Sequence, residues 1–139
     1  AAAVELAKAA GAKRAVPLAV SAPFHSQLMR PAGERLAAEL AKVAVQRGSF
    51  PVCANVDAAP VTDPAKIRDN LVAQVSSPVL WEASVRRMIA DGVTRFVELG
   101  PGKTLSAMIK KIDKDVTVSN VEDAASLADT VAQLKECAE

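Results

Sequence analysis

The 139-residue sequence contains one histidine, and it lies in Ser21-Ala22-Pro23-Phe24-His25-Ser26. Histidine ordinarily titrates near neutrality, which suits a group that must accept and return a proton. His25 follows a strand-like run, Arg14 to Val20, and precedes a long amphipathic segment. A junction of that kind can open at a sheet edge, where loops carry function. The plainer reading is a satisfied surface or core histidine. No serine lies in a GxSxG elbow, and neither Cys53 nor Cys137 has an activated setting, so a nucleophile for His25 is not visible in the chain. Gly100-Pro101-Gly102-Lys103-Thr104 has the strand-to-helix context of a phosphate loop. However, Val97 stands where a Walker A glycine belongs, and Leu105 where the third Rossmann glycine belongs. A tight structural turn is the stronger reading.

The elements that must position these residues alternate. A helix over 2–10 ends at Gly11, and Lys13 to Val20 reads as a strand that Pro17 confines to an edge or bulge. From Gln27 to about Val45, Leu28, Leu36, Leu40 and Val43 share one helical face, with Pro31 as a kink or a first-turn residue. Phe50 to Val56 reads as a buried strand, and Asp57 to Pro64 as a loop. Thr62 or Asp63 can cap the next helix, which carries Ile67, Leu71, Val72 and Val75 inward and stops at Ser76-Ser77-Pro78. Val79 to Trp81 is a linker. Helices are expected over Glu82–Ala90, Lys103–Ile112 and 123–137, with strands over Thr94–Leu99 and Val116–Val121. This order predicts a parallel α/β sheet with helices on both faces.

The size is that of one domain. Seventeen basic and sixteen acidic residues leave a formal charge of +1, so no global field favours nucleic acid or an anionic membrane. One Trp, three Phe and no Tyr supply few stacking surfaces for bases. One histidine and two distant cysteines make no zinc site. No apolar run approaches a membrane span, and a reducing cytoplasm is the expected location. Basic residues gather weakly at Lys13-Arg14, Arg86-Arg87 and Lys110-Lys111 with Lys114, either as solvated faces or as a docking surface for an acidic partner. The chain opens inside a helical pattern without an initiator Met, which suggests a piece of a longer protein.

Four stretches, in order, carry a resemblance. Val20-Ser21-Ala22-Pro23-Phe24-His25-Ser26-Gln27-Leu28-Met29 resembles the segment around the active-site histidine of malonyl-CoA:acyl carrier protein transacylases. Asn55-Val56-Asp57 with Ile67 to Gln74, Ser77-Pro78-Val79-Leu80-Trp81, and Phe96 to Leu105 resemble that family's following segments. The resemblance implies the C-terminal part of an α/β-hydrolase-like acyltransferase fold. Residues 1–20 would end a ferredoxin-like small subdomain, and 21–139 would form the C-terminal portion of the large one. It further implies transfer of malonyl from malonyl-CoA to the phosphopantetheine thiol of acyl carrier protein, through a malonyl-serine, in fatty-acid biosynthesis. No cofactor is implied. By motif, His25 is the general base and Gln74 supplies a backbone carbonyl that orients it. Phe24 matches a malonyl-selective position, and Asn55 lies beside the site. The GHSxG serine, the carboxylate-pairing arginine and the oxyanion glutamine have no counterpart here, so this chain alone is expected to be inactive and to need the N-terminal part as partner. The alternative is a non-catalytic α/β piece that binds an acidic carrier protein. A sheet cut through its middle is expected to self-associate.

Overall fold

The structure is a computed structural model that describes residues 2–17 and 19–136. In chain order the elements are α1 (Ala2–Ala9), a 3-10 turn (Gln27–Met29), α2 (Arg30–Leu40), β1 (Val52–Cys53), β2 (Pro60–Val61) and α3 (Pro64–Ala73). There follow α4 (Trp81–Ala90), β3 (Arg95–Leu99), α5 (Thr104–Ile112), β4 (Thr117–Val121) and α6 (Ala124–Glu136). The chain is mixed α/β, as expected.

The C-terminal half holds the core. β3 and β4 run parallel in the register Phe96↔Val118 and Glu98↔Asn120, with α5 as the crossover that a parallel pair requires. Val85, Ile109 and Val116 are buried, and Trp81, Met88, Ile89, Phe96, Ile112 and Val118 pack around them. The inward face expected for α4 is therefore the one observed. Trp81 does not end a linker; it is the first residue of α4. On the other sheet face, Ser119 donates to Gln133 of α6 at 2.9 Å. Val97 and Leu99 share that face, and Leu99 stays 78% exposed.

Of the strands expected in one parallel sheet, only the last two pair in parallel among the described residues. The segment 13–20, Leu18 lying outside the described residues, has no ladder partner and forms no strand. Phe50 to Val56 contributes only Val52–Cys53, paired antiparallel to Pro60–Val61. Phe50 is exposed rather than buried. A strand exists only through its neighbour's hydrogen bonds, so β-like composition without that neighbour leaves extended chain. The long helix also divides. The 3-10 turn precedes α2, which ends at Leu40, well before Arg47-Gly48-Ser49. Leu28 and Val43 are exposed, not inward. Residue 137, the last of the helix expected over 123–137, lies outside the described residues.

α2 packs against α3. Gly33 is buried at the crossing, where a Cβ would stand 3.4 Å from the Val72 carbonyl oxygen. Asp63 caps α3 by accepting from the Lys66 amide at 2.9 Å, with Pro64 in the first turn, as the sequence indicated. Because α2 begins just after His25, this close crossing carries the histidine loop to the C-terminal end of α3.

Candidate active site

The site is built where α3 stops. The last carbonyls of a helix have no intrahelical donor. The amide four residues beyond Gln74 would belong to residue 78, which is proline and has none. The Val72 and Ala73 carbonyls are taken by the Val75 and Ser76 amides, and the Ser77 hydroxyl also donates to Ala73 at 2.8 Å. The Gln74 carbonyl remains open, and it lies 3.1 Å from Nδ1 of His25. A carbonyl can only accept, so Nδ1 carries a proton, and in the neutral form of the ring Nε2 is the nitrogen free to accept one.

His25 is exposed and holds φ +57°, a left-handed backbone that a non-glycine residue adopts at a cost. The Ser26 hydroxyl donates to the Pro23 carbonyl at 2.7 Å and closes the turn around it. Phe24 is exposed beside His25. Asn55 and Gln74 line one cavity of about 240 Å³, together with Cys53, Asn70 and Leu71. The Asn55 carbonyl accepts from the Leu80 amide at 2.8 Å, which ties the Asn55 loop to the start of α4. Thus His25 meets Gln74, and Gln74 shares a cavity with Asn55. Phe24 does not line that cavity. Sequence reading missed Asn70, which is buried on a face of α3 where Leu71 was expected. Its spacing of one helical turn from Gln74 was the available signal.

The turn at Gly100 to Thr104 is occupied by the chain's own carboxylates. Glu98 accepts from the Leu105 amide at 3.0 Å, the Ser106 amide at 2.8 Å and the Ser106 hydroxyl at 2.6 Å. Glu122 accepts from the Gly102 amide at 3.0 Å. A phosphate arriving here would meet two carboxylates where it needs open amides, so the structural reading of this turn prevails. The Ser106 hydroxyl first, then the Ser106 and Leu105 amides, hold the Glu98 carboxyl below its ordinary range against an opposing desolvation. Much of the basic surface is also engaged internally. Arg86 pairs with Glu82 and Arg87 with Asp91, each at 2.8 Å. Lys110 donates to the Val116 and Lys114 carbonyls. Among the described residues no three of His, Cys, Asp and Glu gather as metal ligands, and no helix is long and apolar enough to cross a membrane.

No family model matches the chain. Individual relatives do. The malonyl CoA-acyl carrier protein transacylase of Bacillus subtilis (strain 168) is 45% identical over 132 residues, which are 95% of this chain and 42% of the relative. The crystal structure of the acyl-carrier-protein S-malonyltransferase from Burkholderia pseudomallei superposes with a TM-score of 0.88 at 46% identity, covering 94% of this chain and 42% of the other. A malonyl-transacylase solved in complex with a type II PKS acyl-carrier protein superposes with a TM-score of 0.85 at 41% identity, covering 91% of this chain and 41% of the other. The chain is therefore a homologue of acyl-group transferases. More narrowly, its relatives are malonyl CoA-acyl carrier protein transacylases, and it spans about two fifths of their length.

Proposed function

We propose that this chain is the C-terminal part of a malonyl-CoA:acyl carrier protein transacylase and contributes its general base. In this reading residues 1–20 close a ferredoxin-like small subdomain, and 21–139 complete an α/β-hydrolase-like large one. The nucleophilic serine, the arginine for the malonyl carboxylate and the oxyanion glutamine belong to the remaining three fifths. The protein works in the cytoplasm, in fatty-acid biosynthesis, without a cofactor.

The observation that carries the reading is the 3.1 Å contact of His25 Nδ1 with the Gln74 carbonyl, in a chain homologous to such enzymes over nearly its whole length. It supports a base whose tautomer is already set. His25 Nε2 takes the serine proton as Oγ attacks the thioester carbonyl of malonyl-CoA. The C–S bond then breaks, and the proton passes to the departing CoA thiolate. In the second half, Nε2 takes the proton of the phosphopantetheine thiol as its sulfur attacks the malonyl-serine ester. The serine leaves with that proton and the malonyl thioester of the carrier protein is formed. A neutral carbonyl stabilises the imidazolium less than a carboxylate would, and the histidine compensates by its fixed direction. Phe24, beside the base, crowds an α-methyl group and so favours malonyl over methylmalonyl. Asn55 borders the cavity that Gln74 lines. The test is the full-length protein with His25→Ala: malonyl transfer to carrier protein should fall about 10²–10⁴-fold. Full transfer by that variant would reject the reading.

A further inference from the structure

We propose that Asn70, paired with Asp57, is a positioning residue for His25: it fixes the end of α3 so that the Gln74 carbonyl meets the imidazole. The inference deepens the reading above and rests on it.

Asn70, 4% exposed, is the one fully buried residue of α3. Burying an amide is costly unless it is bonded, so such a residue marks a constraint. Its Nδ2 donates to Asp57 Oδ2 at 3.0 Å. Asp57 Oδ1 in turn accepts from the Ala59 amide at 3.3 Å, and Lys66 Nζ lies 3.7 Å from Oδ2. Both Asp57 carboxyl oxygens thus have assigned partners and hold a loop in which Ala58 has φ +51°. Asn70 lies one helical turn before Gln74, and the Gln74 amide donates to the Asn70 carbonyl at 3.0 Å. Both residues border the same cavity. On its other side the end of α3 is wedged against Gly33 of α2 at the Val72 carbonyl. The carbonyl that sets the histidine is therefore held from two directions, by close packing toward α2 and by the Asn70–Asp57 bond toward the Asn55 loop. The first hold carries His25 itself, since α2 follows directly from its loop. The second fixes Gln74 against the cavity. Without it the helix end can slide relative to His25, and misplacement on the scale of an ångström removes much of the benefit of a preset base.

The test uses the full-length transacylase that carries this chain, with Asn70→Asp, Asn70→Leu and the exchanged pair Asp57→Asn/Asn70→Asp. Asn70→Asp sets two carboxylates face to face. The exchange restores one donor and one acceptor, and the amide oxygen then present at position 57 can still accept from the Ala59 amide. Both single variants should lower kcat about 10–100-fold, with the KM for malonyl-CoA within about threefold. The His25 ring ¹⁵N signals, assigned by their loss in His25→Ala, should move from the Nδ1–H tautomer toward a mixture. The exchanged pair should regain most of the loss and the original tautomer. A residue with a merely structural role would lower the folded fraction without changing the tautomer. Wild-type kcat in Asn70→Asp, unchanged ring signals, or a loss that the exchange does not repair would overturn the proposal. Should Asn70→Leu fail to fold, Asn70→Asp and the exchanged pair decide the matter. Full transfer by His25→Ala would instead remove the underlying reading. Inactive His25→Ala with unaffected Asn70 variants would remove only this inference.

Discussion

A left-handed histidine that makes one side-chain hydrogen bond is a specific physical object. With φ at +57°, His25 costs on the order of 1–2 kcal/mol relative to a glycine in the same backbone. Glycine gives part of this back through the entropy of its unfolded chain. His25→Gly should therefore melt at or above His25→Ala, by up to about 1 kcal/mol, while both lose transfer. An alanine variant clearly more stable than the glycine variant would refute the strain assignment. The partner contact has a different character, because Gln74 acts through its backbone. Gln74→Ala should keep the Nδ1–H tautomer, which ring ¹⁵N shifts would report; loss of that tautomer would show that the side chain is needed. The contact of His25 with the Gln74 carbonyl was legible in the sequence through a run of motifs in order, and Pro78 supplies the local reason that this carbonyl has no amide four residues on. Asn70 was not legible, because its value depends on Asp57, thirteen positions away in sequence and adjacent only in the fold.

At the scale of elements, the ends of α3 and α5 govern the site and the core respectively. Gly33 lets α2 approach α3 closely. Gly33→Val should force the helices apart at a cost of about 1–3 kcal/mol and lengthen the reach of His25 to Gln74, read as lower stability together with lower kcat. Retained stability and kcat would contradict the close-approach account. At α5, Glu98 caps the helix N-terminus, and its folded pKa lies below its ordinary value of 4.5. The native state then binds fewer protons than the unfolded one. The stabilisation is complete above the unfolded value and is lost as pH falls through the folded one. Asp123, held low chiefly by the Ser126 amide and then the Ser126 hydroxyl, adds to the same acid limb. Melting temperature against pH should drop below about 4.5 and do so less steeply in Glu98→Gln. A Glu98→Gln protein with an unchanged acid limb would remove Glu98 from this role. Helices and their caps, such as Asp63 with Pro64, were readable because their signals are local. The strands at 13–20 and 50–56 were not, because a strand depends on a neighbour that composition does not name.

For the whole molecule, surface area is the informative quantity. The chain exposes 9983 Å², whereas a folded monomer of 14.5 kDa is expected to expose about 6,900 Å². The excess of roughly 3,000 Å² is of the order that an obligate partner covers. Its apolar members include Val20, Leu28, Phe50, Val97 and Leu99. Periodicity placed Leu28 on a buried helical face, whereas it is 77% exposed. On the function proposed above, the remaining three fifths of the enzyme supplies the surface that covers it. The isolated chain should therefore self-associate in sedimentation, and become monodisperse when co-produced with that complement. A cooperatively melting monomer on its own would contradict this account.

The most direct test of His25 as the base half of a divided site is reconstitution. Residues 1–139 would be co-produced with the N-terminal complement of the Bacillus subtilis relative, and transfer of labelled malonyl from malonyl-CoA to holo-acyl carrier protein would be measured. Transfer should require both parts and should disappear with His25→Ala. Undiminished transfer with His25→Ala, or none from parts shown to be assembled, would contradict it.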